Sequence, residues 1–299
     1  MKLSTFLLVF LLFEQSYLAD SILISWDNDA FYGTDRHLTN NLDISYMMDI
    51  ENSAVDNISF TLTHQIFTPE DIEEIDTTKY DLPYAGYAAL DISLYKVYPN
   101  YFFSMGLILG VIGEHSYAQE IQTNVHKWIG SPTPQGWDTQ VENKKIIGIN
   151  SLIGYKLPQE RLIFDTFEMD SYLAVEISNH TRVMSTGIFF RYANNPIKNF
   201  NLIGEPVASQ LSLPKKFADY SWSVSLGASA SVHNYWYILE NFKRSEDYDE
   251  NKLALVTISS FDMYYQQSKF SLYLKQLNTK LHGKSLKENW LGLRYVYTF

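Results

Sequence analysis

The stretch that decides the fold is LGLRYVYTF at residues 291–299. Leu291, Leu293, Tyr295, Tyr297 and Phe299 fall on one face, and Gly292, Arg294, Val296 and Thr298 on the other. A period of two belongs to a strand, because successive side chains leave a pleated backbone on opposite sides. The same period recurs upstream. In NISFTLTHQ at 57–65, Ile58, Phe60 and Leu62 oppose Ser59, Thr61, Thr63 and Gln65. In 41–48, Leu42, Ile44, Tyr46 and Met48 alternate with Asn41, Asp43, Ser45 and Met47. In 221–231, Trp222, Val224, Leu226, Ala228 and Ala230 alternate with serines and one glycine.

A soluble sandwich alternates too, so strand length and aromatic placement decide between the two. Many stretches run about ten to fourteen residues, against a usual five or six. Aromatics gather at their ends, as in YFFS at 101–104 and YVYTF at 295–299. Tilted strands of about 9–11 residues cross a bilayer, with aromatic girdles at both interfaces. Only a closed barrel then pairs every backbone amide that lipid cannot solvate. The 22 Tyr and 18 Phe of this 299-residue chain, with no long apolar run after its first twenty residues, fit that arrangement. A last strand alternating to a terminal Phe also resembles the assembly signal of bacterial outer-membrane barrels.

The fold expected is therefore all-β, a transmembrane antiparallel β-barrel of about twelve strands. The strands are expected at 21–28, 40–49, 57–67, 84–98, 101–114, 145–156, 163–178, 182–193, 220–232, 253–266, 269–279 and 290–299. Residues 1–19, MKLSTFLLVFLLFEQSYLA, place Lys2 before an apolar run from Leu3 to Phe13, the pattern of a secretory signal peptide. The barrel would then occupy 20–299. With both termini periplasmic, residues 29–39, 68–83, 115–144, 233–252 and 280–289 become outer loops. The long 194–219 connection falls on the periplasmic side, where turns are normally tight.

Composition excludes several classes. There is no cysteine, so neither a disulfide-stapled scaffold nor a Cys-ligated metal site is possible. The net charge of −11, from 34 acidic residues against 23 Lys plus Arg, argues against a nucleic-acid partner. An apolar fraction of 46% excludes bulk disorder.

Polar residues concentrate on the outer side. Strand one ends in Ser25-Trp26-Asp27-Asn28-Asp29, strand two opens with Thr39-Asn40-Asn41, and Asp81-Leu82-Pro83-Tyr84-Ala85-Gly86 precedes strand four. Asp and Asn after a strand are usually turn formers, and they are also hard oxygen donors suited to calcium. AQEIQTNVHKWIG at 118–130 reads as a helix with Ile121, Val125 and Trp128 in an apolar stripe. Gln122 and His126, four apart, share an adjacent face. A neutral imidazole suits general-base attack by water. No G-x-S-x-G elbow supports a hydroxyl nucleophile.

At these residues the chain resembles the outer-membrane lipid A 3′-O-deacylase family. The resemblance is carried by ISWDNDAFYGTDRHLTNNLDISY at 24–46, HQIFTP at 64–69, DLPYAG at 81–86, GVIGEHSYAQEIQTNVHKWIG at 110–130 and the last strand. It implies an esterase that removes the 3′-linked acyloxyacyl group of lipid A with calcium. The family's Asn-Asp pair falls on Asn28 and Asp29, its strand-two Thr on Thr39, and its loop Gln and His on Gln122 and His126. By that resemblance His126, Gln122, Asn28 and Thr39 are the catalytic set, and Asp29 with Asn28 would hold Ca2+. Strand parity puts Asn28 on the lipid side with Trp26, and Asp29 with Ser25 and Asp27. The sequence departs from the family at Leu82, where an Arg is usual. It departs again at Gly130-Ser131-Pro132, where a glutamate follows the His. A basic residue to meet a lipid A phosphate has Lys79 as its one candidate in the 68–80 loop. Lipopolysaccharide in the outer membrane is the expected partner, and a monomer the expected state. Two other functions compete: a non-enzymatic pore or adhesin, and an outer-membrane phospholipase.

Overall fold

The computed structural model describes residues 20–50, 54–158, 166–195, 197–217, 220–240, 252–281 and 284–299. The expected signal peptide at 1–19 lies outside the described residues. The strands are β1 (Ser21–Asn28), β2 (His37–Asp49), β3 (Asn57–Thr68), β4 (Ala85–Val97), β5 (Tyr101–Ile112) and β6 (Lys144–Lys156). They continue as β7 (Phe167–Ser178), β8 (Thr181–Ala193), β9 (Ser221–Trp236), β10 (Lys252–Tyr265), β11 (Ser268–Leu281) and β12 (Lys284–Thr298). Each pairs antiparallel with its chain neighbours, and β1 closes the barrel on β12 from Ser21↔Thr298 to Asn28↔Leu291. No helix among the described residues is long and apolar enough to cross a membrane.

The alternation fixes which face looks inward. Along β1, Leu23, Ser25 and Asp27 are buried while Ile24 is exposed. Exposed Ile44, Leu62, Leu107, Leu109, Ile149, Leu226 and Leu272 continue an outer apolar band. Serines such as Ser45, Ser59, Ser104, Ser223 and Ser225 fill the interior. Close to where β12 ends, Tyr46 and Tyr297 stack on Phe299, and Tyr98 stacks on Tyr101 at 4.4 Å, forming part of an aromatic girdle.

Several strands outrun their expected ends. β9 reaches Trp236, and β11 and β12 continue to Leu281 and Lys284, which shortens two outer loops. Beyond the membrane a strand has no apolar face to show. Rungs such as Gln276↔Asn289 and Asn278↔Lys287 therefore carry no hydrophobic period.

The described part of the 194–219 connection folds back inside the barrel. Phe200, Leu202, Ile203, Ala208 and Leu211 pack against Met47, Phe102, Tyr172 and Phe189 from the walls. Arg191 anchors it, donating to Glu168 Oε2 at 2.6 Å, Asn199 Oδ1 at 2.7 Å and the Ile197 carbonyl at 2.7 Å. Toward the outer end, Tyr237, Ile238 and Leu239 form a second apolar stopper with Phe67, Leu82, Tyr87 and Ile112. Leu82, the departure from the family motif, is part of that stopper. Between the stoppers lies a chamber of about 430 Å³ whose lining includes Asp27, Asp43, Asp91, Glu176 and His180.

Candidate active site

The first loop is wound around Asp29. Asn28 Oδ1 accepts from the Ala30 amide at 2.8 Å, an Asx turn that starts the helical turn Ala30–Tyr32. Gly33, at φ 73°, ends that turn. The chain then doubles back. The Arg36 amide donates to Asp29 Oδ2 at 3.0 Å, and Thr34 donates to the Asp29 carbonyl at 3.2 Å. Asp29 is wholly buried as a result. Burial pushes its carboxyl up to about 6; the Arg36 amide and the Thr34 and Thr39 hydroxyls pull it down, and neighbouring Asp35 pushes it further up.

Thr39 sits at a bulge. The β2–β3 register shifts between Leu38 and Asn40, so Thr39 has no partner on β3. A bulge re-aims a side chain. Thr39 Oγ1 lies 3.2 Å from Asp29 Oδ1 and also makes a short contact with Asp35 Oδ1. One hydroxyl proton thus faces two carboxylates.

The expected helix is α1 (Ala118–Ile129). Gly130, at φ 75°, ends it with its amide on the His126 carbonyl. The helix rests on the outside of the wall at Gly86, where a Cβ would stand 2.3 Å from Ala118 Cβ and 1.9 Å from Ser116 Oγ. Only glycine allows so close an approach. Ala118, Gln122 and His126 form its buried face. Trp137 Nε1 donates to Gln122 Oε1 at 3.0 Å, which leaves Gln122 Nε2 to donate to Asp35 Oδ1 at 3.3 Å. Trp137 is itself held against Tyr84, at 4.9 Å between rings.

His126 Nδ1 lies 2.6 Å from the Pro132 carbonyl, and its Nε2 lies 3.1 Å from Asp35 Oδ2. A carbonyl only accepts, so Nδ1 carries the proton. Pro132 belongs to the stretch where the family has a glutamate; here the backbone supplies the acceptor.

The structure thus brings Asp29, Thr39, Gln122 and His126 together around Asp35. Asn28 stands beside them, with its Oδ1 accepting from the Ala30 amide. Asp35 was not among the candidate residues, although it lies four positions before Thr39 in the quoted motif. Lys79 is exposed and pairs with Glu74 at 2.7 Å. A further linkage steadies the loops: His37, at φ 56°, bridges Glu288 Oε1 at 2.9 Å and Asp81 Oδ2 at 2.6 Å. Burial alone would raise the Asp81 carboxyl, but His37 holds it below its ordinary value. Among the described residues no three His, Cys, Asp or Glu side chains converge as a metal cluster.

A closed twelve-stranded barrel with an outward apolar band, and a polar site at its outer end, defines an outer-membrane β-barrel protein. The family model described as "Outer membrane protein LpxR" matches residues 3–299, and the chain belongs to that family. This is the lipid A deacylase family that its motifs resemble. No curated protein matches the chain. Among solved structures, LpxR from Salmonella typhimurium aligns with a TM-score of 0.75 at 17% identity, over 93% of this chain and 100% of that one. The β domain of the Bordetella autotransporter BrkA aligns at 0.45 with 8% identity, over 94% of this chain and 98% of that one. The KdgM porin aligns at 0.41 with 7% identity, over 93% of this chain and 99% of that one.

Proposed function

We propose that the protein hydrolyses the 3′-linked acyloxyacyl ester of lipid A in the outer leaflet, with His126 as general base. The observation that carries this reading is the meeting of Asp29, Thr39, Gln122 and His126 from three chain segments at one point of the outer wall. The Pro132 carbonyl holds the proton on His126 Nδ1, and Nε2, which faces Asp35 Oδ2 at 3.1 Å, takes a proton from a water that enters between the two side chains. The water oxygen bonds to the ester carbonyl carbon, and the carbonyl π pair moves onto oxygen. When that tetrahedral oxyanion collapses, the sugar C–O bond of the ester is spared and the acyl–oxygen bond breaks. The leaving sugar oxygen takes the proton back from Nε2. Gln122, its Oε1 held by Trp137, turns its amide N–H groups toward the site and stabilises the oxyanion.

The residues fit a hard cation. Asp29 and Asp35 are two carboxylates sharing one hydroxyl proton, an all-oxygen set that suits calcium rather than zinc. Asp29, Asp35 and Thr39 would hold it. A Ca2+ ion held there would polarise the ester carbonyl and would offset the acidic loops beside an anionic lipid.

The apolar stoppers near both ends give the pore reading no support among the described residues. The test is mass spectrometry of lipid A from cells expressing the protein or His126→Ala. Loss of the 3′ acyloxyacyl mass only with the unaltered protein supports the reading; an unchanged spectrum with both, in folded barrels, ends it.

A further inference from the structure

Helix α1 presents three faces. Ala118, Gln122 and His126 face the wall, and Glu120, Asn124 and Lys127 are exposed and polar. The third face is apolar and unpartnered: Ile121 and Val125 are exposed, with Ile129 at 56%, Tyr117 just before them at 66%, and Trp128 at 86%. At 3.6 residues per turn this stripe lies roughly a quarter turn from the buried face, with the polar face on the other side. A contiguous apolar patch of this kind is not stable in extracellular water.

Its position in the fold says what covers it. The helix is seated at Gly86, on the outside of the barrel. Four residues further along β4, Leu90 pairs with Leu62 on one side and Leu109 on the other, and all three are exposed on the outer apolar band. At about 3.3 Å per residue, that rung lies about 13 Å from the helix seat. A helix with side chains is about 10–12 Å across, so the band and the stripe are continuous. Across the site, Phe31 is exposed and packs edge-on against Trp26 at 5.9 Å, with Tyr32 exposed beside it.

We infer that α1 is an interfacial helix whose Tyr117–Ile121–Val125–Trp128–Ile129 stripe is embedded among the acyl chains of the outer leaflet. Lys127 and Glu120 stay in water. Phe31 and Tyr32 on the first loop add further exposed aromatic surface beside the outward-facing Trp26. An amphipathic helix lying in the plane of the interface buries its apolar face in this way. The inference rests on the outer-membrane barrel and not on the hydrolase reading.

The chain has no cysteine, so single thiols can be placed without background. Spin labels are attached to Val125→Cys, Trp128→Cys, Glu120→Cys and Lys127→Cys in the full-length barrel reconstituted in phospholipid vesicles. Collision with oxygen, which concentrates in the acyl region, is compared with collision with a water-soluble nickel chelate. The oxygen-to-nickel ratio is expected to be at least roughly threefold higher at 125 and 128 than at 120 and 127. Equal nickel access at all four positions overturns the proposal. Shielding from both reagents at 125 and 128, with broadening that grows with protein-to-lipid ratio, also overturns it and assigns the stripe to a second copy. A variant that loses the heat-modifiable mobility of a folded barrel is replaced by Ile121→Cys on the same face. Lipid A deacylation by the unaltered chain, measured separately, stands or falls independently of these ratios.

Discussion

Gly86→Ala tests whether the seat of α1 holds the site together. The added Cβ would stand 2.3 Å from Ala118 Cβ, whereas ordinary contact begins at 3.4 Å, so Ala118 must retreat by 3.4 − 2.3 = 1.1 Å. Ser116 cannot absorb the clash alone. Its Oγ donates to the Gly113 carbonyl at 2.6 Å, and the Ala118 amide lies 3.3 Å from it. The start of α1 therefore lifts from the wall, carrying Gln122 one turn along. Its 3.3 Å contact with Asp35 and 3.0 Å contact with Trp137 are then lost or lengthened. A displacement of about 1 Å in a catalytic constellation costs about a hundredfold in rate. The β3–β4 ladder at Gly86 is untouched by a methyl group on the outer face, so the barrel should still fold. The assay is the initial rate of lipid A deacylation by mass spectrometry, paired with heat-modifiable gel mobility. A folded Gly86→Ala barrel within twofold of the unaltered rate would refute this account of how the site is positioned.

Other perturbations bear on separate parts of the account. Asp35→Asn removes the charge that meets Thr39, Gln122 and His126, and is expected to lower kcat by about two orders of magnitude with the barrel folded, measured on purified lipid A. Asp29 has a folded-state value of about 6 against an ordinary 3.8. Below about pH 4 both states are protonated and Asp29 contributes nothing. As pH rises from about 4 to 6 the unfolded chain ionises first, and the calcium-free barrel loses stability, by at most about 3 kcal/mol. Added calcium binds the ionised form, so its shift of the urea midpoint should grow across that window and level off above it. A calcium effect that is constant with pH would contradict the role given to Asp29. Arg191→Ala leaves Glu168 buried without its guanidinium and should cost about 3–5 kcal/mol in urea unfolding. A loss below about 1 kcal/mol would mean that Arg191 does not anchor the inner segment.

The barrel was legible because lipid imposes one rule on every strand, apolar outward, and β1, β2, β3 and β9 obey it within the membrane, Asn28, Asn40 and His64 marking where it stops. The rule lapses where the barrel leaves the membrane, so the ends of β9, β11 and β12 were placed short. It says nothing about the lumen, and so the apolar run Phe200, Leu202 and Ile203 read as a long periplasmic connection. Helix α1 was legible from its stripe and from Gly130. The bulge at Thr39 was not, since the slip it makes, with Leu38 and Asn41 both facing the lumen, falls among polar residues that carry no apolar period to break. Asp35 is not marked in the sequence because two of its three side-chain contacts, Gln122 and His126, come from a segment distant in the chain, and Asp-Arg before a strand is also ordinary loop chemistry.

In the proposed reaction, water activated by His126 cleaves the acyl side of the 3′ ester. Incubating the purified barrel with lipid A and calcium in ¹⁸O-enriched water, and weighing the released acid, tests it most directly. One ¹⁸O is expected in the carboxyl group of the released acyloxyacyl acid, and no acid from a folded His126→Ala barrel. Label in the sugar hydroxyl instead, or acid released at an unchanged rate by His126→Ala, would contradict it.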